Sequence, residues 1–278
     1  MKIRHLLTAA ILCCTTAFWS TTAQAVIDCR VVPKGFAVTY DPKVATPIDA
    51  ESSVTINCTR ASDDPGTVGY SLAAESPNTK GQGSQASLAG GSIPYDVYQD
   101  AGRTMRWGPK GNAVISEAIA FGAGVSASVA VPYYARIPAG TNVAAGRYSD
   151  SVTTTLTYGN RVAVSALGIL VNVDPSCQLS TPMGSMSLPY PSGQTTAAVS
   201  TSFAVVGTSG VPYALSLDAT SGTILGLGYT LSLSGSAGTG TGALQKFTVK
   251  GTMPGKLGSA IAAGICPVTN VHTLTVSY

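Results

Sequence analysis

The sequence predicts an all-β chain built from two sandwich domains, the second of them one strand short. Three observations lead there. Short runs rich in Val, Thr, Ile, Leu and Tyr alternate with clusters of Gly, Ser, Asn and Pro along the chain, the pattern of strands joined by turns. No stretch sustains a helical period over a dozen residues, and 113–122 is the one place where a single helical turn is expected. The chain also repeats itself. Arg136-Ile137-Pro138 and Ala145-Gly146 precede the run Thr155-Leu156-Thr157-Tyr158. Later, Thr252-Met253-Pro254 and Ala263-Gly264 precede Thr273-Leu274-Thr275-Val276-Ser277-Tyr278. Segments 68–73 and 211–217 match in pattern, as do Ile27-Asp28-Cys29 and 173–177. Two copies of one unit are read, near 26–160 and 174–278.

Taken in order, residues 1–25 have the form of an export signal. Lys2 and Arg4 supply the positive end, 6–18 a short apolar run and Ala23-Gln24-Ala25 a small-x-small cleavage site, so the mature chain is expected to start at Val26. A lipoprotein would need a small residue before Cys13, where Leu12 stands. No later segment reaches about 18 uninterrupted apolar residues, so no membrane insertion is expected.

The first copy is expected to carry strands around 36–40, 53–59, 68–74, 93–99, 125–136 and 148–158. The segment that follows, 161–173, is no flexible linker. Leu167, Ile169, Val171 and Val173 fall on one face of a strand. So apolar a strand belongs in a sheet, and it would be the seventh strand of the first domain. The second copy is expected to carry strands around 178–188, 199–206, 212–218, 228–234, 244–251 and 271–278. An immunoglobulin-like sandwich has seven. The second domain would therefore expose an acceptor groove, edged by Leu274, Val276 and Tyr278, with unpaired backbone and apolar side chains. A strand from another chain is the usual remedy.

Cys13 and Cys14 leave with the signal, and Cys29, Cys58, Cys177 and Cys266 remain. An even number in an exported chain implies disulfides. Four cysteines allow three pairings; with two domains, Cys29–Cys58 and Cys177–Cys266 are the natural choice. Charge says little about partners. Without Lys2 and Arg4, the 16 basic residues fall to 14, against 13 acidic ones. No basic stripe for nucleic acid is present.

Tyr95-Asp96-Val97-Tyr98-Gln99-Asp100 with Arg103 and Trp107-Gly108, then Tyr134-Ala135-Arg136-Ile137-Pro138-Ala139-Gly140, then Ala145-Gly146-Arg147-Tyr148-Ser149-Asp150, resembles the spore coat protein U domain of archaic (Csu-type) chaperone–usher pili. The resemblance covers nearly all of the first domain. The second keeps the pattern without the aromatic and Arg positions. It implies donor-strand complementation: a periplasmic pilus chaperone fills the second domain's groove, and an adjacent pilus subunit's N-terminal strand replaces it during secretion through an outer-membrane usher. Only Val26, Ile27 and Asp28 precede Cys29 in the mature chain, too few for a donor strand. Two domains that accept but do not donate resemble the tip adhesin of such pili, exported through the periplasm to the cell surface and serving attachment and biofilm formation. Segment 161–173 would then complete the first domain in cis.

Chemistry-bearing residues point away from catalysis. The mature chain has one histidine, His272, and the only acidic residue beyond Pro175 is Asp218; a Ser-His-Asp arrangement would need that pairing. Asp63-Asp64 has the look of a solvated loop. No CxxC or HExxH occurs, so neither metal nor cofactor is expected. The glycine-rich 235–242 lacks a phosphate-loop ending and is expected to be a hairpin loop. Asn57-Cys58-Thr59 fits a glycosylation triplet but falls on a strand. Strand parity places loops 60–67, 99–124 and 159–161 at the pole distal to the second domain. The long 99–124 loop carries Met105, Val114, Ile115, Ile119 and Phe121, which could bury apolar area on a surface or receptor ligand. The alternatives are a non-tip structural pilus or coat subunit, and a carbohydrate-specific lectin using Trp107 with Asp100 and Arg103.

Overall fold

The computed structural model describes residues 26–80, 83–187, 196–224, 226–254 and 268–278. Its strands enclose two apolar cores, one formed by residues up to Val173 and the other by residues from Phe203 onward. The all-β, immunoglobulin-like expectation holds.

The first sandwich packs two sheets. One carries β1 (Asp28–Pro33), β3 (Ile48–Thr59), β9 (Ser126–Ile137) and β7 (Gly91–Tyr98), antiparallel throughout. The other carries β8 (Ile115–Ala120), β4 (Thr67–Glu75), β10 (Gly146–Tyr158), β11 (Arg161–Val173) and β2 (Phe36–Thr39). The strand β6 (Gly83–Leu88) pairs with both β7 and β10 and so joins the sheets along one side, with β5 (Thr79–Lys80) beside it. Period-two alternation sends Val54, Ile56 and Cys58 of β3 and Val152 and Leu156 of β10 inward, each at most 1% exposed. The Cys29–Cys58 disulfide joins β1 to β3 at directly paired positions.

β11 is the second arm of a hairpin. All thirteen of its residues register against β10, from Arg161↔Tyr158 to Val173↔Gly146. On its other side Ile169–Asn172 pair in parallel with Phe36–Thr39 of β2. The chain entering β2 crosses β11 so closely that a methyl on Gly35 would overlap the carbonyl of Gly168, which is why glycine stands there.

A polar knot lies inside this core. Asp150 is 7% exposed and accepts from Tyr95 Oη at 2.5 Å, Ser76 Oγ at 2.5 Å and Asn78 Nδ2 at 2.8 Å. Burial, then the Asp150 hydrogen bond, pushes the Tyr95 phenol far above its ordinary range; burial does the same for Tyr70, with Glu117 adding to it, and pushes Tyr133 up to about 12. The folded state thus prefers these phenols protonated. Their contribution is complete below about pH 10, where unfolded tyrosines begin to ionise, and is lost as pH climbs toward the folded values. Urea midpoints of the first sandwich are expected to hold level from pH 8 to 9.5 and fall steadily from pH 10 to 12. The loss should be smaller in a Tyr70→Phe, Tyr133→Phe variant.

The second sandwich pairs a five-stranded sheet with a three-stranded one. The first holds β12 (Cys177–Thr181), β13 (Thr196–Gly207), β18 (Leu244–Pro254), β16 (Leu227–Leu233) and β15 (Ser221–Ile224). The second holds β17 (Ala237–Thr239), β14 (Pro212–Leu217) and β19 (Leu274–Ser277). Between them lie Phe203, Val205, Tyr213, Leu215, Leu231 and Val249. Loops join the two sandwiches: Lys43 Nζ donates to Ser176 Oγ at 2.7 Å, Asn142 Nδ2 to the Thr241 carbonyl at 2.7 Å, and Ala144 bridges to Ser209.

Several expected elements are corrected. Residues 113–122 hold no helical turn beyond the short 3-10 turn Gly111–Ala113; they form β8, because Ile115 and Ile119 pair inward beside Leu72 and Val68. β1 forms just before the expected strands, with Cys29 and Val31 facing the core. Loop 235–242 contains β17. The strand expected at 178–188 ends at Thr181, and residue 188 lies outside the described residues. So do the signal segment 1–25 and Cys266, and with them the second expected disulfide.

Candidate functional site

Three places could carry function: the distal pole, the β11 strand and the free edge of the second sandwich. The distal pole is built by 60–66, 121–125 and the turn at 159–160. Arg60 organises it. Its Nη1 donates to the Asp64 carbonyl at 2.6 Å, its Nε to the Gly124 carbonyl at 3.1 Å, and its guanidinium lies 5.5 Å from the Phe121 ring centre. The Asp64 carboxylate accepts from the amides of Ala61 at 2.9 Å and Val26 at 3.2 Å, so it structures the loop rather than merely facing water. Val26 and Val125 are each 52% exposed here, and Val162 and Val164 are exposed on the adjoining start of β11. A cleft of about 360 Å³ opens beside them, lined by Ile27, Pro65, Val68, Tyr158, Asn160 and Arg161.

Most of the loop residues expected to bind a surface lie elsewhere. Ile115 and Ile119 are buried at 8% and 4%, because β8 turns them into the core against β4, and Phe121, though at the pole beside Arg60, is itself buried at 5%. Val114 is half-buried and only Met105 is well exposed. Nor does the 99–106 segment reach the pole. It folds back over the outer face of the β3–β9–β7 sheet, where Arg103 Nε lies 3.3 Å from Asp49 Oδ1 and its guanidinium 5.8 Å from the Tyr134 ring centre. Asp100 holds the turn by accepting from the Thr104 and Met105 amides. Trp107 is 4% exposed, its Nε1 donating to the Leu72 carbonyl at 2.8 Å. It offers no platform for a sugar ring, and the lectin arrangement on Trp107, Asp100 and Arg103 falls with it.

On β11, Leu167, Ile169, Val171 and Val173 are all at most 3% exposed and belong to the first core. In the second sandwich, β19 pairs among the described strands only with β14, from Leu274↔Leu217 to Ser277↔Ala214. It is the outer strand of its sheet, and no described strand pairs with its other edge. Leu274 and Val276 are half-buried against the second core, and Tyr278 is 64% exposed.

The structure does orient His272. Its Nδ1 lies 2.9 Å from Asp218 Oδ1 and its Nε2 2.6 Å from Tyr229 Oη, so both ring nitrogens are engaged and no serine takes part. The His272 hydrogen bond is the main reason the Asp218 carboxyl sits below its usual range. Among the described residues no group of three or more His, Cys, Asp and Glu could hold a metal ion. No described helix is long and apolar enough to cross a membrane.

Residues 15–155, just over half of the chain, match the Spore Coat Protein U domain. The chain belongs to that family. As a Spore Coat Protein U protein it is adhesive or structural rather than catalytic. The family match ends within β10 and leaves β11 outside it. No curated protein matches the chain in sequence. Among solved structures, similar chains come from the CsuC–CsuE chaperone–tip adhesion subunit pre-assembly complex of the archaic chaperone–usher Csu pili of Acinetobacter baumannii (13% identity, 90% of this chain and 100% of that one, TM-score 0.47) and the CupB6 tip adhesin of Pseudomonas aeruginosa (11%, 83% and 88%, TM-score 0.43). The CooA pilin subunit of enterotoxigenic Escherichia coli is similar over 53% of this chain and 99% of its own, at 17% identity and TM-score 0.36.

Proposed function

We propose that this Spore Coat Protein U protein is the adhesive tip subunit of a chaperone–usher pilus, carried on the fibre by strand donation to its second domain. The observation that carries the reading is β19. It is a four-residue strand paired on one side, with Leu274 and Val276 incompletely covered and Tyr278 exposed. An apolar edge of this kind invites an added strand. A periplasmic chaperone would supply it first, and an adjacent subunit's N-terminal strand would replace it after passage through an outer-membrane usher. The first domain supports the reading from the other side. The family match stops before β11, and β11 supplies the buried face of Leu167, Ile169, Val171 and Val173 from the same chain. A strand covalently in place leaves the first domain complete and free to bind. The exposed valines of the distal pole, Val26, Val125, Val162 and Val164, are the apolar area it would offer to a surface or receptor. Single contacts of that size are weak, and many fibres on one cell multiply them.

The test is a mixing experiment on the full processed chain. A synthetic peptide with the alternating apolar sequence of the shaft subunit's N-terminal extension is added, and the melting of each domain is followed separately. The peptide is expected to raise the melting temperature of the second domain by several degrees and to leave the first unchanged. A second domain that ignores the peptide and is already stable in the free monomer would refute the acceptor reading.

A further inference from the structure

The weak point of an acceptor domain is the strand that must wait for its partner. β19 has four residues and one ladder of hydrogen bonds; short, one-sided strands fray. Yet the segment leading into it is tied down by side chains. His272 reaches Asp218 in the β14–β15 loop through Nδ1 and Tyr229 of β16 through Nε2. Asn270 Nδ2 donates to Tyr229 Oη at 2.9 Å and to the Thr223 carbonyl of β15 at 2.9 Å. The Asp218 amide closes the set on the Thr273 carbonyl at 3.0 Å. Tyr229 and Thr223 belong to the five-stranded sheet, whereas β19 belongs to the three-stranded one. These bonds therefore cross from one sheet to the other at the foot of β19.

Local sequence makes room for this arrangement. Gly222 on β15 lies under the Tyr229 ring, where a methyl would overlap the hydroxyl. The Tyr229 and His272 rings meet edge to face at 5.8 Å. Proton bookkeeping is complete with a neutral imidazole: Nδ1–H donates to Asp218, Nε2 accepts from the Tyr229 hydroxyl, and the Tyr229 oxygen accepts from Asn270.

We propose that Asp218, His272, Tyr229 and Asn270 form a polar latch that holds β19 in register before a strand is added beside it. The proposal rests on the acceptor reading above, and within that reading it makes His272 a positioning residue of the acceptor edge. A latch at the foot of β19 keeps its outer backbone groups presented as a straight template. Without it, an incoming strand must order β19 as it binds, which slows capture.

Two readouts test it on the full processed chain. In hydrogen exchange without any peptide, His272→Ala is expected to lose about 10- to 100-fold protection at 274–277, while β13 and β18 exchange as in the wild type. Capture of the donor peptide should slow by a comparable factor. Gly222→Ala, which displaces the Tyr229 ring and leaves His272 itself intact, should reproduce both effects. His272→Gln, able to keep one of the two hydrogen bonds, should recover part of them. Unchanged exchange at 274–277 in both His272→Ala and Gly222→Ala overturns the latch. Local loss of protection with no peptide bound by any variant upholds the latch and overturns the acceptor reading, so the two fail separately.

Discussion

Removing the Cys29–Cys58 disulfide, by reduction or by paired alanine substitution, is expected to destabilise the first domain by about 3–4 kcal/mol. The bridge closes a loop 29 residues apart in sequence, and loop-closure entropy for a loop of that size gives this magnitude. Both cysteines are buried, at 5% and 1%, so the small cavity left by alanine adds to the loss. The bridge also fixes β1, an outer strand that among the described strands pairs with β3 alone. Urea unfolding of the C29A/C58A protein should show the drop in the first domain alone, with the second domain's transition unmoved. Equal shifts in both domains would mean that they unfold as one unit.

Asp150→Ala should cost a similar amount by a different route. The substitution removes one acceptor and leaves the Tyr95 hydroxyl, the Ser76 hydroxyl and the Asn78 amide without it, in a region where Tyr95 is 1% and Ser76 8% exposed. Each buried group stranded in this way costs about 1–3 kcal/mol, so a total of about 3–5 kcal/mol is expected. For a domain of this size that is a fall of roughly 10 °C in melting temperature. Tyr95→Phe removes one donor and keeps the acceptor's other bonds, and should lose about 1–2 kcal/mol. A double variant no worse than Asp150→Ala would show that the two residues act through one another. Thermal melts of the three proteins decide it.

Periodicity made some of this legible in the sequence and hid the rest. The β11 strand was readable because four large apolar residues sit at strict spacings of two. The strand β8 was not. Ile115 and Ile119 stand four apart, a spacing that a helix face and a strand face share, and only the pairing with Leu72 and Val68 decides between them. That pairing is also what took both residues away from the expected binding loop. The place of Trp107 was equally out of reach: its indole partner is a backbone carbonyl 35 residues away, which no local pattern encodes. The same holds for the Asp150–Tyr95 bond, across 55 residues, and the His272–Asp218 bond, across 54. The family motif placed Tyr95 and Asp150 in the same short list without saying that they touch. The exposed valines of the pole carried no signal at all, since an isolated valine in a turn or at a strand start is ordinary.

β11 leaves the first core at Val173 and runs directly into the second sandwich. If the distal pole is anchored and the second sandwich is pulled, tension enters the first domain along the axis of β11. The ladder to β10, thirteen residues long, and the short ladder to β2 are then loaded in shear, all their hydrogen bonds sharing the load at once. A strand peeled from its end would break them one at a time. Forced unfolding is a matter of rate, and a load shared in shear along β11 is expected to keep that rate lower than a load that peels the strand from one end.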